Sequence, residues 1–436
     1  MTAPAVNGRP GGLIGRFVDV KPGELGPVLW SAAYFFCVLA AYFILRPIRD
    51  EAGVAGGIRN LPWLFTGTMI AMLIINPPFA ALVSKLSRRR FVTIAYRFFM
   101  VNLLLFYGMF KWLPAADQIW VGRAFYIWTS VFNLFVVSVF WGFMADGFKS
   151  EQGKRLFGFI GVGGTLGSIV GSAVTAGLVN AVGSASLLLI SAVLLEAAVL
   201  SVGQLAAAFN VERGGTATAE TPIGGGVLSG IGHVLASPYL LGICAYMLLY
   251  TIGSTFLYFQ QAHIVEAAYT DRAARTALFA QIDLVVNVLT VLVQAFVTGK
   301  LMTRLGVAVT LTIVPAISVA GFLGVGLMPS VAMLIGFLVL RRAGNFAVAR
   351  PSREVLYTVV SREDKYKAKS FIDTFVYRLG DQIGAWADPV VASMGFGMAG
   401  AGFVAAPLAL LWLGVGLWLG RRQAAMAARA TQSAVI

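Results

Sequence analysis

Two arginines and an acid stand at the end of the first long apolar run, in Leu45-Arg46-Pro47-Ile48-Arg49-Asp50-Glu51. Arg46, Arg49 and Asp50 are spaced i, i+3 and i+4, which stacks them on one helix face, although Pro47 is expected to break the helix just there. Paired guanidinium groups can grip an anion through bidentate hydrogen bonds. The same residues could instead close the run as an interfacial ion-pair cluster with snorkelling side chains. Asp283, Asn287, Thr290 and Gln294 share one face of a later run, as a cavity wall would require. Asp373, Tyr377, Asp381, Gly384 and Asp388 do the same further on, and Arg378 lies i+3 from Asp381. Arg97, Arg123 and Asn133 are further polar groups within apolar stretches, and Glu196 is an isolated acid, read either as a proton site or as one half of a buried pair. The chemistry these residues can do is binding, counter-charging and proton exchange. Arg46, Arg49, Arg378, Arg123 and Asn133 are the expected substrate-binding set; Asp283, Asp381, Asp373, Glu196 and Asp50 are expected to couple or gate.

These groups are conspicuous because the chain has few ions. Of 436 residues 58% are hydrophobic and only 12% charged, with a formal net charge of +14. A globular domain carries roughly 25% charged residues, so the chain cannot coat a surface of this length with ions. Its apolar runs are long and continuous rather than short and alternating, which excludes a β-barrel. The expectation is an all-α integral membrane protein. Cys37 and Cys244 both sit in apolar runs and form neither a CxxC nor a metal spacing. His233 and His263 are the only histidines. No zinc-protease, phosphate-loop or serine-elbow pattern is present. Gly161-Val162-Gly163-Gly164-Thr165-Leu166-Gly167 imitates a dinucleotide loop but lies inside an apolar run with no preceding strand. An enzyme, a cofactor, a metal centre and a nucleic-acid partner are therefore not expected.

A span needs roughly 20 apolar residues. The runs predict twelve, at 27–46, 61–83, 91–112, 119–145, 156–180, 184–208, 237–263, 275–299, 307–327, 330–350, 368–392 and 396–420. The polar stretch 209–236, with Gly224-Gly225-Gly226, reads as a cytoplasmic linker. It separates a six-helix bundle at 27–208 from another at 237–420, between a cytoplasmic segment at 1–26 and a cytoplasmic tail at 421–436. Residues 1–26 lack the apolar core of a cleavable signal peptide. Most cations fall on one side of this map: Lys85 with Arg88 to Arg90, Lys149 with Lys154 and Arg155, Lys300 with Arg304, the group from Arg341 to Lys369, and Arg421 with Arg422. The loops near 182, 329 and 395 have none. The positive-inside rule then puts both termini in the cytoplasm of a multi-pass plasma-membrane (bacterial inner-membrane) protein.

The halves repeat. Ala80 to Arg90 after the second span and Gly299 to Gly306 after the eighth both resemble the major facilitator loop motif Gly-x-x-x-Asp-Arg-x-Gly-Arg-Arg, with Ser84 and Thr303 in place of the acid. Lys154, Leu166-Gly167 and Gly171 echo Lys367, Leu379-Gly380 and Gly384. Two parallel six-span repeats are the layout of that superfamily. Arg46-Pro47-Ile48-Arg49-Asp50, Phe140-Trp141-Gly142-Phe143 with Lys154-Arg155-Leu156-Phe157-Gly158, and Arg353-Glu354-Val355-Leu356-Tyr357 with Lys367 to Asp373 resemble, more narrowly, the ATP/ADP translocase (nucleotide exchanger) family of bacteria and plastids, in its free-living bacterial form. The resemblance implies the major facilitator fold and antiport of nucleotides by alternating access, with Arg49 matching a phosphate-binding lysine and Arg46 the preceding basic position. An acidic residue of that family is replaced by the run Trp128 to Asn133, and a lysine in the eleventh span by Asp381. The expected function is secondary transport of a polar, anionic, nucleotide-like or phosphorylated small molecule. Its partners would be that solute, membrane lipid, and a proton or counter-substrate. The alternatives are a proton-coupled transporter of an organic acid, siderophore or drug, and a membrane scaffold that does not transport.

Overall fold

The computed structural model describes residue 21 and residues 23–85, 88–148, 150–213, 232, 234–235, 237–360, 368–369, 371–395 and 397–433. Among them the regular elements are helices, as expected where no water is available to satisfy exposed backbone groups. They are α1 (Leu25–Ala55), α2 (Leu61–Lys85), α3 (Arg88–Trp112), α4 (Ala115–Gly147), α5 (Ser150–Arg213), α6 (Pro238–Ala268), α7 (Arg272–Val293), α8 (Gly299–Leu327), α9 (Val331–Gly344), α10 (Arg350–Leu356), α11 (Tyr377–Ser393) and α12 (Met398–Ser433). Nine stretches among the described residues are helical, long and apolar enough to cross a membrane. Two of these, Arg155–Phe209 and Arg272–Leu327, are far longer than a bilayer requires. Each contains one glycine outside helical geometry, Gly183 (φ 78°) and Gly306 (φ 73°). Both angles lie in the left-handed region that a residue without Cβ enters freely, so the chain turns there. The stretch containing α11 is not among the nine because Asp373, Arg378, Asp381 and Asp388 crowd it.

Local signals explain the ends. Asp271 Oδ2 accepts the Ala274 amide at 2.7 Å and Ser330 Oγ the Met333 amide at 3.2 Å, capping α7 and α9. Ser237 caps α6, with Pro238 in the first turn where its missing N–H costs nothing. Glu24 precedes α1 and accepts bonds from the Lys21 amide (2.9 Å), Gln152 (3.1 Å) and Arg155 (2.9 Å). Burial alone would raise its carboxyl pKa, but these donors outweigh burial and hold it below the usual value.

Three expectations change. Pro47 does not end α1, which runs through it to Ala55; in a membrane helix neighbouring groups satisfy the carbonyl that a proline frees. The motif at Gly299 to Gly306, expected after the end of the eighth span, is itself helical. Helix continues from α7 through a π-turn at Gln294–Thr298 into α8, and the chain turns only at Gly306. Arg341 and Arg342, counted with the cytoplasmic cations, lie in the last turn of α9, and a π-turn (Asn345–Ala349) carries the helix on into α10. Most of the 209–236 linker, including His233, and residues 86–87 of the first motif lie outside the described residues.

The chain forms two compact units. The first comprises 1–52, 70–219 and 276–281; the second comprises 53–69, 220–275 and 282–436. In the first, Tyr34 and Tyr96 share a hydrogen bond of 2.6 Å, Tyr96 donates to the Val136 carbonyl at 3.0 Å, and Phe35 stacks on Phe140 at 4.1 Å. Gly163, Gly167 and Gly171 recur every four residues on α5. A Cβ at each would strike the carbonyl of Ala32, Phe36 or Ala40, which recur every four residues on α1. Backbone therefore meets backbone, the contact small residues allow when no hydrophobic effect drives helices together. In the second unit Gly380 of α11 lies against Thr251, and Gly384 against the Ile252 carbonyl, both on α6. The sequence echo of Gly167 and Gly171 at Gly380 and Gly384 thus marks the same kind of contact in each unit. Trp63 and Thr66 of α2 belong to the second unit, Trp63 edge-on to Trp386 at 4.9 Å and Thr66 bonded to Gln382 at 2.9 Å.

A Gly167→Val protein, forced to part α1 from α5, should lose about 1–3 kcal/mol as other overpacked sites do. Gly158→Val enters open space and should melt like the parent. Thermal unfolding of the detergent-purified proteins makes the comparison; equal midpoints for both variants would contradict the contact.

Candidate functional site

In the first unit Asp50 is the hub of the α1 cluster. Arg49 reaches its Oδ1 through Nη2 at 2.6 Å and Nε at 3.0 Å, and Arg46 Nε lies 4.0 Å from Oδ2. Both guanidinium groups are also sheltered by rings: Arg49 lies over Tyr126 of α4 at 5.0 Å, and Arg46 over Phe43 at 5.7 Å. Asp50 is buried while both arginines keep part of their surface. A carboxylate so placed holds two cations in the span and leaves each an accessible edge for an incoming anion. Arg123, three residues before Tyr126, stacks over Trp120 at 4.5 Å. Asn133 lies half-buried two turns further along α4. Glu196 is not isolated. Arg97 binds it bidentately at 2.7 and 3.3 Å, on a face where the two side chains are 53% and 33% exposed.

In the second unit Asp283, 2% exposed, accepts from Arg342 Nη2 at 2.6 Å. Asn287 and Thr290 are buried beside it on α7, whereas Gln294 opens the π-turn and donates to the Phe346 carbonyl at 3.2 Å. Asp381 of α11 takes Arg378 Nη1 at 3.2 Å and the Thr255 hydroxyl of α6 at 3.0 Å. Asp373 does not share this buried face. It lies in a π-turn (Ile372–Val376), exposed, 4.0 Å from Arg353. A π-turn holds one residue more than an α-turn, so the i, i+4 arithmetic from 373 to 381 loses its phase.

Three features were missed from sequence. Arg341 is 2% exposed, and its hydrogen bonds go to the Ser318 hydroxyl (2.9 Å), the Ser254 hydroxyl (2.7 Å) and the Tyr250 carbonyl (3.1 Å), with the rings of Tyr250 and Trp412 about it. It borders a small, otherwise apolar cavity of about 40 Å³ with Phe256, Phe322 and Trp412. Arg342 is the partner of Asp283. Asp388 takes Gln260 Nε2 at 3.0 Å and His263 Nε2 at 3.1 Å, joining α11 to the end of α6. The available signal for the arginines was their place in the apolar run 331–349, eleven residues beyond its cap. Among the described residues no group of three His, Cys, Asp or Glu side chains could hold a metal ion.

No protein-family model matches the sequence, and no curated protein does. Solved structures do match in shape. The nucleoside transporter NupG is 13% identical, over 93% of this chain and 99% of that one, with a TM-score of 0.57. A bacterial homologue of the iron transporter ferroportin, in an inward-facing state, is 15% identical over 91% and 97%, TM-score 0.59. The xylose transporter XylE from E. coli, inward open, is 11% identical over 89% and 94%, TM-score 0.57. The chain shares the fold of these membrane transporters. At these identities the likeness is one of fold, and the ions in the spans carry the functional argument.

Removing one member of a buried pair leaves the other unpaired, at a cost of about 3–5 kcal/mol. Asp283→Asn should therefore destabilise far more than Asp283→Asn/Arg342→Gln, which removes both charges. A double-mutant cycle on unfolding midpoints measures the coupling, and additive losses would show that the pair is not a unit.

Proposed function

We propose that this protein is a secondary transporter that moves a polar, anionic small molecule, nucleotide-like or phosphorylated, across the plasma membrane by alternating access. Twelve spans are read in two six-helix halves, 27–208 and 237–420, with both termini cytoplasmic. The turns at Gly183 and Gly306 support that count by dividing the two overlong stretches, and α11 with its preceding π-turn supplies a further, ion-rich span. The observation that carries the reading is the α1 cluster. Two arginines within a membrane helix share one buried carboxylate, and one of them lies on the ring of Tyr126. Ions in a span cost about 2.5–3.5 kcal/mol each on insertion scales, an expense that a purely structural helix avoids with apolar residues. An incoming phosphate would take over the hydrogen bonds that Arg49 gives Asp50 and the weaker ion pair of Arg46, so binding and release become an exchange of one anion for another. Arg378, held by Asp381, would repeat that exchange in the second unit. The structural neighbours, which include nucleoside, peptide and xylose transporters and a homologue of an iron transporter, support transport as the class and leave the solute to the site itself.

A second reading has one observation in its favour. His263 and Asp388 form a titratable pair at 3.1 Å, and imidazole is the side chain whose charge changes near neutral pH. Proton-coupled movement of an unrelated solute, an organic acid, siderophore or drug, would use such a pair. Uptake that needs a counter-solute and ignores the proton gradient favours exchange. Accumulation driven by the gradient and lost in His263→Gln favours proton coupling.

In proteoliposomes Arg49→Ala should lower uptake of a labelled nucleotide or sugar phosphate at least tenfold, Arg49→Lys should retain part of it, and Arg97→Gln, on the exposed face, should leave it intact. Unchanged uptake by Arg49→Ala sinks the binding role of the cluster.

A further inference from the structure

The basic run that opens α3 has a second consequence. Arg90, Ile94 and Arg97 fall on one face of α3, with Arg89 and Thr93 beside them. Leu200, Gly203, Gln204 and Ala207 fall on the facing side of α5 beyond its turn at Gly183. The two faces enclose an open groove of about 790 Å³, within the size range of ligand sites. Its chemistry is graded along its length. Arg89 and Arg90 form one end, both exposed and with no carboxylate of the described residues in ion-pair reach. Arg97 lies about 10 Å further in, at 1.5 Å of rise per residue, and is neutralised by Glu196. Between these points the wall is Ile94, Val199 and Leu200, with Ile94 50% and Leu200 64% exposed. Beyond them Phe98 and Val193 continue the exposed apolar surface. Gly203 faces Arg89 across the groove: a Cβ there would lie 3.8 Å from Arg89 Nη2, in ordinary contact.

We propose that this groove binds an anionic phospholipid, its phosphate held by Arg89 and Arg90 and its acyl chains laid along Ile94, Val199 and Leu200. The charge complementarity is local, because the lining residues carry no acid and the one neighbouring acid is already bound by Arg97. A soluble anion would satisfy the two arginines and leave the apolar wall bare, whereas a phospholipid covers both. The same occupant accounts for the ion pair Arg97–Glu196, which would otherwise face hydrocarbon: the glycerol and ester region of a bound lipid gives it polar surroundings at the depth where it sits. Basic pockets between spans recognise headgroups in this way, each cation near the surface adding to the attraction.

Native mass spectrometry of the detergent-purified protein, titrated with phosphatidylglycerol or phosphatidylcholine, tests the assignment. Phosphatidylglycerol should bind roughly tenfold or more tightly than phosphatidylcholine. Arg89→Gln/Arg90→Gln should abolish the difference, and Gly203→Phe, which fills the groove without removing a charge, should lower binding of both lipids. Inorganic phosphate at millimolar concentration should not displace the lipid. Equal binding of the two lipids by the parent protein, retained selectivity in the double variant, or displacement by phosphate would each overturn the proposal. If the double variant does not purify as a monodisperse protein, Gly203→Phe decides alone, and unaltered lipid binding by it refutes the site.

Discussion

An ionised side chain within an apolar span must be met by an opposite charge, a set of dipoles or water, and in this chain that requirement shapes both units. Asp50 holds Arg46 and Arg49, Asp283 holds Arg342, Asp381 holds Arg378, and Glu196 holds Arg97. Arg341 is met instead by two hydroxyls, a carbonyl and two rings. Apart from the pairs within α1 and α11, these contacts tie one helix to another: α3 to the far limb of α5, α7 to α9, and α9 to α6 and α8. Pairing therefore fixes which helices are neighbours and which faces turn inward, and the apolar residues fill the remaining surface.

Glycine sets how closely those neighbours approach. Gly163, Gly167 and Gly171 bring α5 onto the backbone of α1, the helix that bears Arg46 and Arg49, and Gly380 and Gly384 bring α11, the helix of Asp381 and Asp388, onto α6. Close contacts of small residues bind through short-range packing alone. A surface without interlocking side chains lets one helix slide along another at little cost. The helices that carry Arg46, Arg49, Asp381 and Asp388 are thus mounted on close small-residue contacts, as the proposed alternating access would use.

Much of this was legible in the sequence. The apolar runs located the helices, the spacing of Arg46, Arg49 and Asp50 foretold their contact, and the stripe on α7 held for Asp283, Asn287 and Thr290. What could not be read follows from physics that single-helix periodicity omits. The π-turn at Ile372–Val376 shifts the helical phase, which moved Asp373 off the face assigned to it, whereas Gln294, at the start of its π-turn, still meets the helix that Asp283 meets. Pro47 was tolerated because the surrounding structure, and not the local chain, decides whether a freed carbonyl is satisfied. Arg341 and Arg342 were counted with the cytoplasmic cations because cations near the end of an apolar run look like topology signals, and only the fold brings Ser254, Ser318 and Asp283 to them. Glu196 looked isolated because its partner, Arg97, lies on another helix.

Guanidinium groups held by carboxylates inside the spans are proposed to bind an anion that is carried across. Counterflow tests this most directly. Proteoliposomes loaded with an unlabelled phosphorylated solute, from a panel of nucleotides and sugar phosphates, are diluted into a trace of the labelled compound with no ion gradient. Label should rise transiently inside the vesicles for at least one anionic solute and not for its neutral, dephosphorylated form. Equal counterflow of the neutral form, or none for any anion by a folded and correctly inserted protein, would contradict it.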